Sequence, residues 1–374
     1  MSGAALRLGV DGRELRDGVR TGIGRFVEEV LRAASRNGIE SVIYSDRPLP
    51  VDLAWKNVTS TVIHAPSTVW WDQVRLPREL ARDEISVFLS PYYKGPVVAR
   101  CPVVVTIHDL FFIRYLGRRR LVYDVAATAA ARLYARRAAA VLTDSEHSRR
   151  AIARRLGVAA DRITAIPLAA NPIFRRTPLS DAVRARLGFS EPYVLSVGNA
   201  KPHKNLPRLF RAFASLPAEL RATHRLVLIG DHRDEAGALA VLARELGIGE
   251  RVIFAGRVED SDLAAAYTGC ALFAMPSLDE GFGLPALEAM ACGAPVVASS
   301  RASLPEVVGD AGILVPADDP LAIAAAMTRV LTDARLRRDL ERRGLERARR
   351  FSPERTSERV LGLLERVSAR RRIG

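Results

Sequence analysis

The sequence predicts an α/β protein made of two doubly wound domains, each a parallel sheet with helices on both faces. Three observations predict it. The chain has 374 residues, more than one ordinary hydrophobic core organises. Short, continuous apolar runs alternate with helix-like segments along its length. Strands buried on both faces read as such runs, and βαβ alternation makes them parallel. The alternation also breaks once, in a proline-containing stretch, and then restarts.

In order, LRLGV (6–10) reads as the first strand, followed by a glycine-rich turn and a helix over about 23–37. SVIYS (41–45), ISVFLSP (85–91), PVVVTIHD (102–109) and AAVLTDS (139–145) read as further strands, with an Arg/Ala-rich helix over 121–138. ITAIPLAANPIF (163–174) has two prolines and no helical period, so it reads as an interdomain linker. Six strands follow: YVLSVG (193–198), HRLVLIG (224–230), RVIFAG (251–256), CALFAMPS (270–277), APVVAS (294–299) and GILVP (312–316). Helices are expected near 205–217, 235–247, 261–268, 284–292 and 320–332, and a helical tail over about 335–372. The expected organisation is an N-terminal domain over 1–172, a C-terminal domain over 173–350 and a last helix over 351–374 that returns to the first domain.

Composition narrows the class. The chain is 48% hydrophobic and 26% charged, as globular proteins are. No apolar run approaches the ~20 residues of a membrane helix. Met1–Leu8 lacks the apolar region of a signal peptide, so a cytoplasmic protein is expected. Cys101, Cys270 and Cys292 are far apart and never form a C-x-x-C pair, which argues against disulfides and zinc. Cys292, in AMACGAP, reads as a buried structural thiol. The net charge is +14. Residues 1–180 hold 28 basic and 17 acidic residues, against 28 and 25 in 181–374. That excess suits an anionic partner, and it equally suits solvated faces in an arginine-rich chain with only four lysines.

In open α/β sheets, ligands bind beyond the carboxyl ends of the strands, so chemistry is sought in those loops and in a cleft between the domains. After CALFAMPS comes Glu280-Gly281-Phe282-Gly283-Leu284-Pro285-Ala286-Leu287-Glu288. A carboxylate and a glycine turn lead into a helix that opens on Leu284-Pro285, and the exposed amides suit an anion. Glu280 and Glu288 are placed to meet different parts of one elongated ligand. After YVLSVG comes Gly198-Asn199-Ala200-Lys201-Pro202-His203-Lys204-Asn205, holding two of the four lysines where a phosphate would be met. His108-Asp109 ends PVVVTIHD and is a third candidate. Gly22 and Gly24, in Arg20-Thr21-Gly22-Ile23-Gly24-Arg25, form a fourth. That loop lacks the full G-x-G-x-x-G spacing, which disfavours NAD. Trp70-Trp71 with Leu76-Pro77 reads as packing, and Asp144 and Ser145 beside His147 read as helix-cap chemistry.

These pieces together resemble the retaining glycosyltransferases of family 4. The resemblance rests on Lys204 in PHKN, on Glu280-x7-Glu288, and on the run from PSLDEGFGLPALEAMACGAPVVAS to LPEVVGDAG. RTGIGRFVEEVL, WWDQVRLP, VVVTIHDL and LTDSEHSRR extend it over nearly the whole chain. The resemblance implies the GT-B fold: two Rossmann-like domains facing a central cleft. It implies that Lys204 binds the donor diphosphate, Glu280 the transferred sugar and Glu288 the ribose, while His108 reaches the sugar. Gly22 to Gly24 would border the diphosphate, and GRVEDSDL, after Gly256, would lie near the base. Asn199 departs from the arginine of many members: either Lys201 takes over part of that charge or the diphosphate is held less tightly. Gly281, Phe282, Gly283 and Leu284 complete the expected donor loop.

The expected activity is metal-independent hexosyl transfer with retention. The donor is a GDP- or UDP-sugar, with a lean to mannose, and no cofactor is expected. The acceptor is a glycan or a polyprenyl-diphosphate-linked glycan in bacterial polysaccharide synthesis. Arg114, Arg118, Arg119 and Arg120, in FFIRYLGRRRLVY, suit peripheral contact with an anionic membrane face as well as they suit a solvated loop. A nucleotide-sugar epimerase on the same fold and a basic nucleic-acid-binding protein are the alternatives. No nucleic-acid motif supports the second.

Overall fold

A computed structural model describes residues 6–15, 22–49, 55–111, 121–189, 191–233 and 235–373. The chain divides into two compact units, residues 1–168 with 353–374, and residues 169–352.

The first unit is built on a parallel sheet of β1 (Arg7–Asp11), β2 (Glu40–Ser45), β3 (Val58–Val62), β4 (Val87–Ser90), β5 (Val103–Thr106), β6 (Ala140–Thr143) and β7 (Ile163–Ala165). Its order is β3-β2-β1-β4-β5-β6-β7. β1, β4, β5 and β6 are almost wholly buried, which is why they are legible as apolar runs. β3, of sequence VTSTV, is a half-exposed edge strand and has no such run. β7 corrects the linker reading of 163–174: the first three residues of that stretch pair with β6.

The helix Gly22–Arg36 buries Phe26, Val27, Val30, Leu31 and Ala34, a stripe at helical spacing. It packs with Leu8 and Val10 of β1 and with Val360 and Leu364 of the terminal helix Pro353–Ile373. Burying each large member of that set contributes roughly 1.5–3 kcal/mol. Ser357 of the terminal helix also donates to the Glu29 carbonyl at 3.3 Å. This corrects the reading of Gly22 and Gly24 as a loop before a helix, because both lie inside its first turn. The opposite face buries Trp71, Leu76, Phe88 and Val105. Trp71 is 2% exposed, but Trp70 is 50% exposed, so only one of the pair packs. Successive helical residues point about 100° apart, and one tryptophan faces out. Arg114 and Arg118 to Arg120 lie outside the described residues.

The second unit carries β8 (Tyr193–Val197), β9 (Arg225–Ile229), β10 (Val252–Gly256), β11 (Leu272–Met275), β12 (Val296–Ser299) and β13 (Ile313–Val315). All are parallel, in the order β10-β9-β8-β11-β12-β13. Helices Leu206–Ala214, Ala236–Glu245, Asp260–Gly269, Leu284–Ala291 and Pro320–Thr332 stand where the sequence places them. Two more, Ala334–Ala348 and Pro353–Ile373, make up the tail.

All three cysteines are buried and unbridged, and burial pushes the Cys292 thiol up to about 12, so it is inert at neutral pH. Among the described residues, no helix is long and apolar enough to cross a membrane.

Candidate functional site

Strand order decides which loops meet. In the second sheet, β8 lies between β9 and β11, so the order reverses there. Loops at the carboxyl ends of strands flanking such a reversal converge on one place. The loop after β8 holds Lys204 and the loop after β11 holds Glu280, 76 residues apart in sequence. Their side chains bond directly, with Lys204 Nζ to Glu280 Oε1 at 2.8 Å. The lysine side chain is 14% exposed and the carboxylate 7%. A pair this buried is held because each charge would be costly alone.

The loops are stitched from below. Asn205, at φ 60°, is 2% exposed, and its Nδ2 donates to the carbonyls of Pro276 (2.8 Å) and Ala317 (2.7 Å). It ties the β8 loop to those after β11 and β13. The Leu278 amide donates to the His203 carbonyl at 2.7 Å. The Ser303 hydroxyl bridges the Glu280 and Phe282 carbonyls at 3.0 and 2.7 Å. Sequence reasoning missed Asn205 and Ser303 as organising residues. The signal for Asn205 was in the motif, which ends on an asparagine, a residue that tolerates the left-handed backbone.

Gly198 closes β8 at φ 145°, and a Cβ there would stand 3.3 Å from Lys204 Cε. Glycine therefore lets the lysine stem lie over the backbone. The Lys201 amide donates to Asn199 Oδ1 at 3.2 Å, which turns the chain, and the Lys201 side chain is exposed. Gly283, at φ 105°, opens the helix Leu284–Ala291, and no side chain caps that helix. Pro285 has no N–H to satisfy, so its first turn presents few but accessible donors. Gly281 and Leu284 are half-buried. Phe282 is 5% exposed and its ring meets Phe351 edge-on at 5.9 Å, so its side chain packs the loop.

Glu288 lies on the second turn of that helix, half-buried, and accepts a hydrogen bond from the Tyr267 hydroxyl at 3.1 Å. Tyr267 is wholly buried, so it fixes the carboxylate from beneath. In the loop after β9, Asp231 accepts from Arg233 (2.7 Å) and from Arg257 (3.3 Å), which lies just beyond β10, and Glu259 precedes the helix Asp260–Gly269. His203 is buried, and burial with the neighbouring Lys204 charge pushes its pKa down to about 4.

In the first unit the same rule operates. β5 and β6 are neighbours, and the residues after them pair: His108 Nδ1 lies 2.8 Å from Asp144 Oδ2. This corrects the cap reading of Asp144, since Ser145 caps the helix Glu146–Leu156, accepting from the Ser148 amide, and Asp144 bonds the imidazole. Burial lowers the His108 pKa, but the Asp144 charge and hydrogen bond, helped by Asp109 and the Pro91 carbonyl, more than offset it and leave it raised. Nε2 has no hydrogen-bond partner among the described residues. Phe26, near the start of the helix holding Gly22 and Gly24, meets the ring edge-on at 6.0 Å.

A buried lysine–carboxylate pair, a fixed second carboxylate, a glycine turn and an uncapped helix start are what a sugar joined to a diphosphate would need. Comparison with known proteins bears on the family and the fold. Residues 181–347 match the signature described as Glycosyl transferases group 1, and residues 20–172 match Glycosyltransferase Family 4. The chain is 40% identical to the O-antigen chain mannosyltransferase B of Escherichia coli over 219 residues, 57% of each chain. It is 36% identical to a D-inositol 3-phosphate glycosyltransferase of Acidothermus cellulolyticus over 227 residues, 58% of this chain and 50% of that one. The chain thus spans about half the length of these curated relatives. Sucrose-phosphate synthase from Thermosynechococcus elongatus superposes with a TM-score of 0.77 at 22% identity, covering 97% of this chain and 99% of that one. Anabaena Alr3699/HepE in complex with UDP-glucose superposes with a TM-score of 0.73 at 20% identity, covering 96% and 99%. At such identities the likeness establishes the fold, GT-B, and says nothing of substrate. With both signatures matched, on either side of the one linker, the chain belongs to the family 4 glycosyltransferases.

Proposed function

We propose that the protein transfers a hexose, with retention, from a nucleoside-diphosphate sugar to a glycan or lipid-linked glycan acceptor in polysaccharide synthesis. The Lys204–Glu280 pair at the sheet reversal carries this reading. Lys204 meets the diphosphate, Glu280 the transferred sugar, Glu288 the ribose hydroxyls, and His108 the sugar. Lys201, Asn199 and the amides around Gly281 to Leu284 add donors. As the glycosidic bond breaks, charge grows on the leaving diphosphate, and fixed donors stabilise it there without reorganising. A retaining double displacement needs a carboxylate nucleophile at the anomeric carbon. Glu280 is engaged by Lys204 and Glu288 by Tyr267, so front-face attack, with the leaving phosphate taking the acceptor proton, is the step we favour. The lean to mannose and GDP rests on the similarity to the mannosyltransferase.

The test is thermal shift against UDP, GDP, ADP, TDP and their sugars with a chelator present. One nucleotide is expected to raise the melting temperature of the wild type. Glu288→Ala is expected to shrink that shift and weaken donor binding about tenfold, the scale of a lost charge-assisted hydrogen bond. Donor affinity unchanged in calorimetry would remove Glu288 from the site.

The basic first half supports a place at an anionic lipid surface. Sedimentation with acidic liposomes is expected to carry the protein down at low salt and to release it as salt rises. Equal recovery with neutral liposomes would end that part of the proposal.

A further inference from the structure

β8 and β9 finish side by side, and the loop after β9 folds back over the end of β8. The approach is so close that a Cβ on Gly230 would lie 1.9 Å from the Gly198 carbonyl oxygen. His232 stands in that loop. It is 6% exposed, its ring meets Phe254 edge-on at 5.9 Å, and its Nδ1 has no hydrogen-bond partner among the described residues. With Ser196, Gly198, Asn199, Lys204 and Ser277 it lines a narrow recess of about 10 Å³, room for one water-sized group such as a single phosphate oxygen.

A polar atom buried without a partner costs about 1–3 kcal/mol, and such atoms are few in folded proteins. Val197, Leu206 and Met275 form the apolar part of the wall, and the polar groups beside His232 are an ammonium, two hydroxyls, an amide and bare glycine backbone, all suited to anionic oxygens. Lys204 is already committed to Glu280, and a diphosphate brings more than one negative charge. A second cationic donor beside it would complete the balance.

We infer that His232 is a second diphosphate-binding group of the donor site, taking up a proton from solvent as it bonds to a phosphate oxygen; the inference rests on the nucleotide-sugar reading of this site. In the free protein, burial pushes the His232 pKa down, partly opposed by Asp231 and the Gly230 carbonyl, so the ring is neutral at neutral pH. The charged groups around it are Lys204, from the loop after β8, and Asp231 in its own loop, itself bonded to Arg233 and Arg257. A phosphate oxygen at hydrogen-bond distance favours the charged imidazole. The ligand therefore binds together with one proton. The contribution is present below the bound-state pKa and is lost as pH rises through it.

Calorimetry near pH 7 with UDP and with GDP, in two buffers of different ionisation heat, reads both affinity and proton count. For whichever nucleotide binds, the wild type is expected to take up more protons than His232→Gln, by up to about one. His232→Gln is expected to bind that diphosphate about tenfold more weakly and the bare nucleoside equally well. Equal affinity and equal proton count in the two proteins would overturn the inference and leave the donor reading standing. A wild type that binds neither nucleotide would overturn both. If His232→Gln does not melt cooperatively, NMR of the wild-type imidazole decides. A pKa that rises on saturation with the diphosphate supports the inference, and an unmoved one overturns it.

Discussion

Replacing Lys204 by alanine is expected to cut sugar transfer by about 10²–10³-fold, the usual loss when one preorganised charge-stabilising donor is removed. The same change has a structural consequence that must be separated from the chemical one. Lys204 Nζ is the group bonded to Glu280 Oε1, and that carboxylate side chain is only 7% exposed. Removing the lysine leaves a buried charge uncompensated, which costs about 3–5 kcal/mol. The variant is therefore expected to melt several degrees lower as well as to lose activity.

A double-mutant cycle separates the two effects. Glu280→Gln keeps the size and hydrogen-bonding capacity of the residue while removing its charge. The double variant Lys204→Ala/Glu280→Gln is expected to recover most of the melting temperature, because no charge is then left unpaired. If Lys204 served only to neutralise Glu280, the double variant would transfer sugar as well as Glu280→Gln alone. The expected result is transfer about 10²-fold below that single variant, because the diphosphate still lacks its cation. Double-variant activity within threefold of Glu280→Gln would assign Lys204 a structural role only.

The pair also illustrates what was and was not legible in the sequence. β8 and β11 are buried, mostly apolar runs, so the loops that follow them, and with them Lys204 and Glu280, were readable as candidates. Their meeting was not. It follows from β8 and β11 being neighbours, a property of strand order that no local spacing contains. Asp144 was misassigned for the same reason. Read locally, it sits beside a helix start and looks like a cap; in the sheet, β6 lies against β5 and brings it to His108. The edge strands Val58–Val62 and Ile163–Ala165 were missed because an edge need not be apolar, and because prolines just beyond the second masked its pairing. Gly22 and Gly24 were read as a loop because glycine disfavours helices by roughly 1 kcal/mol. The buried stripe beginning at Phe26 outweighs that cost and draws both into the helix.

Asp144→Asn tests whether the first unit's pairing is part of the machinery or part of the scaffold. Asparagine has the shape of aspartate and still offers an oxygen to His108 Nδ1, so the substitution removes charge with little change of geometry. In the wild type, burial lowers the His108 pKa and Asp144 more than offsets that, leaving it raised. Without the charge, burial prevails and the pKa falls. A protonated ring is the form present below its pKa, and under the proposed function Nε2, which has no hydrogen-bond partner among the described residues, is the nitrogen that would donate to the sugar. Transfer that depends on the protonated ring therefore declines as pH rises through that pKa, and in Asp144→Asn the decline is expected at lower pH. At neutral pH, kcat is expected to fall about 10²-fold, the scale of one general acid–base contribution, with the nucleotide Kd unchanged. A residue that merely held the scaffold together would behave otherwise. It would lower the melting temperature and leave the pH profile where it was, and that outcome would confine Asp144 to packing. A shifted profile with an intact melt would instead make Asp144 a positioning residue, acting on the sugar through His108.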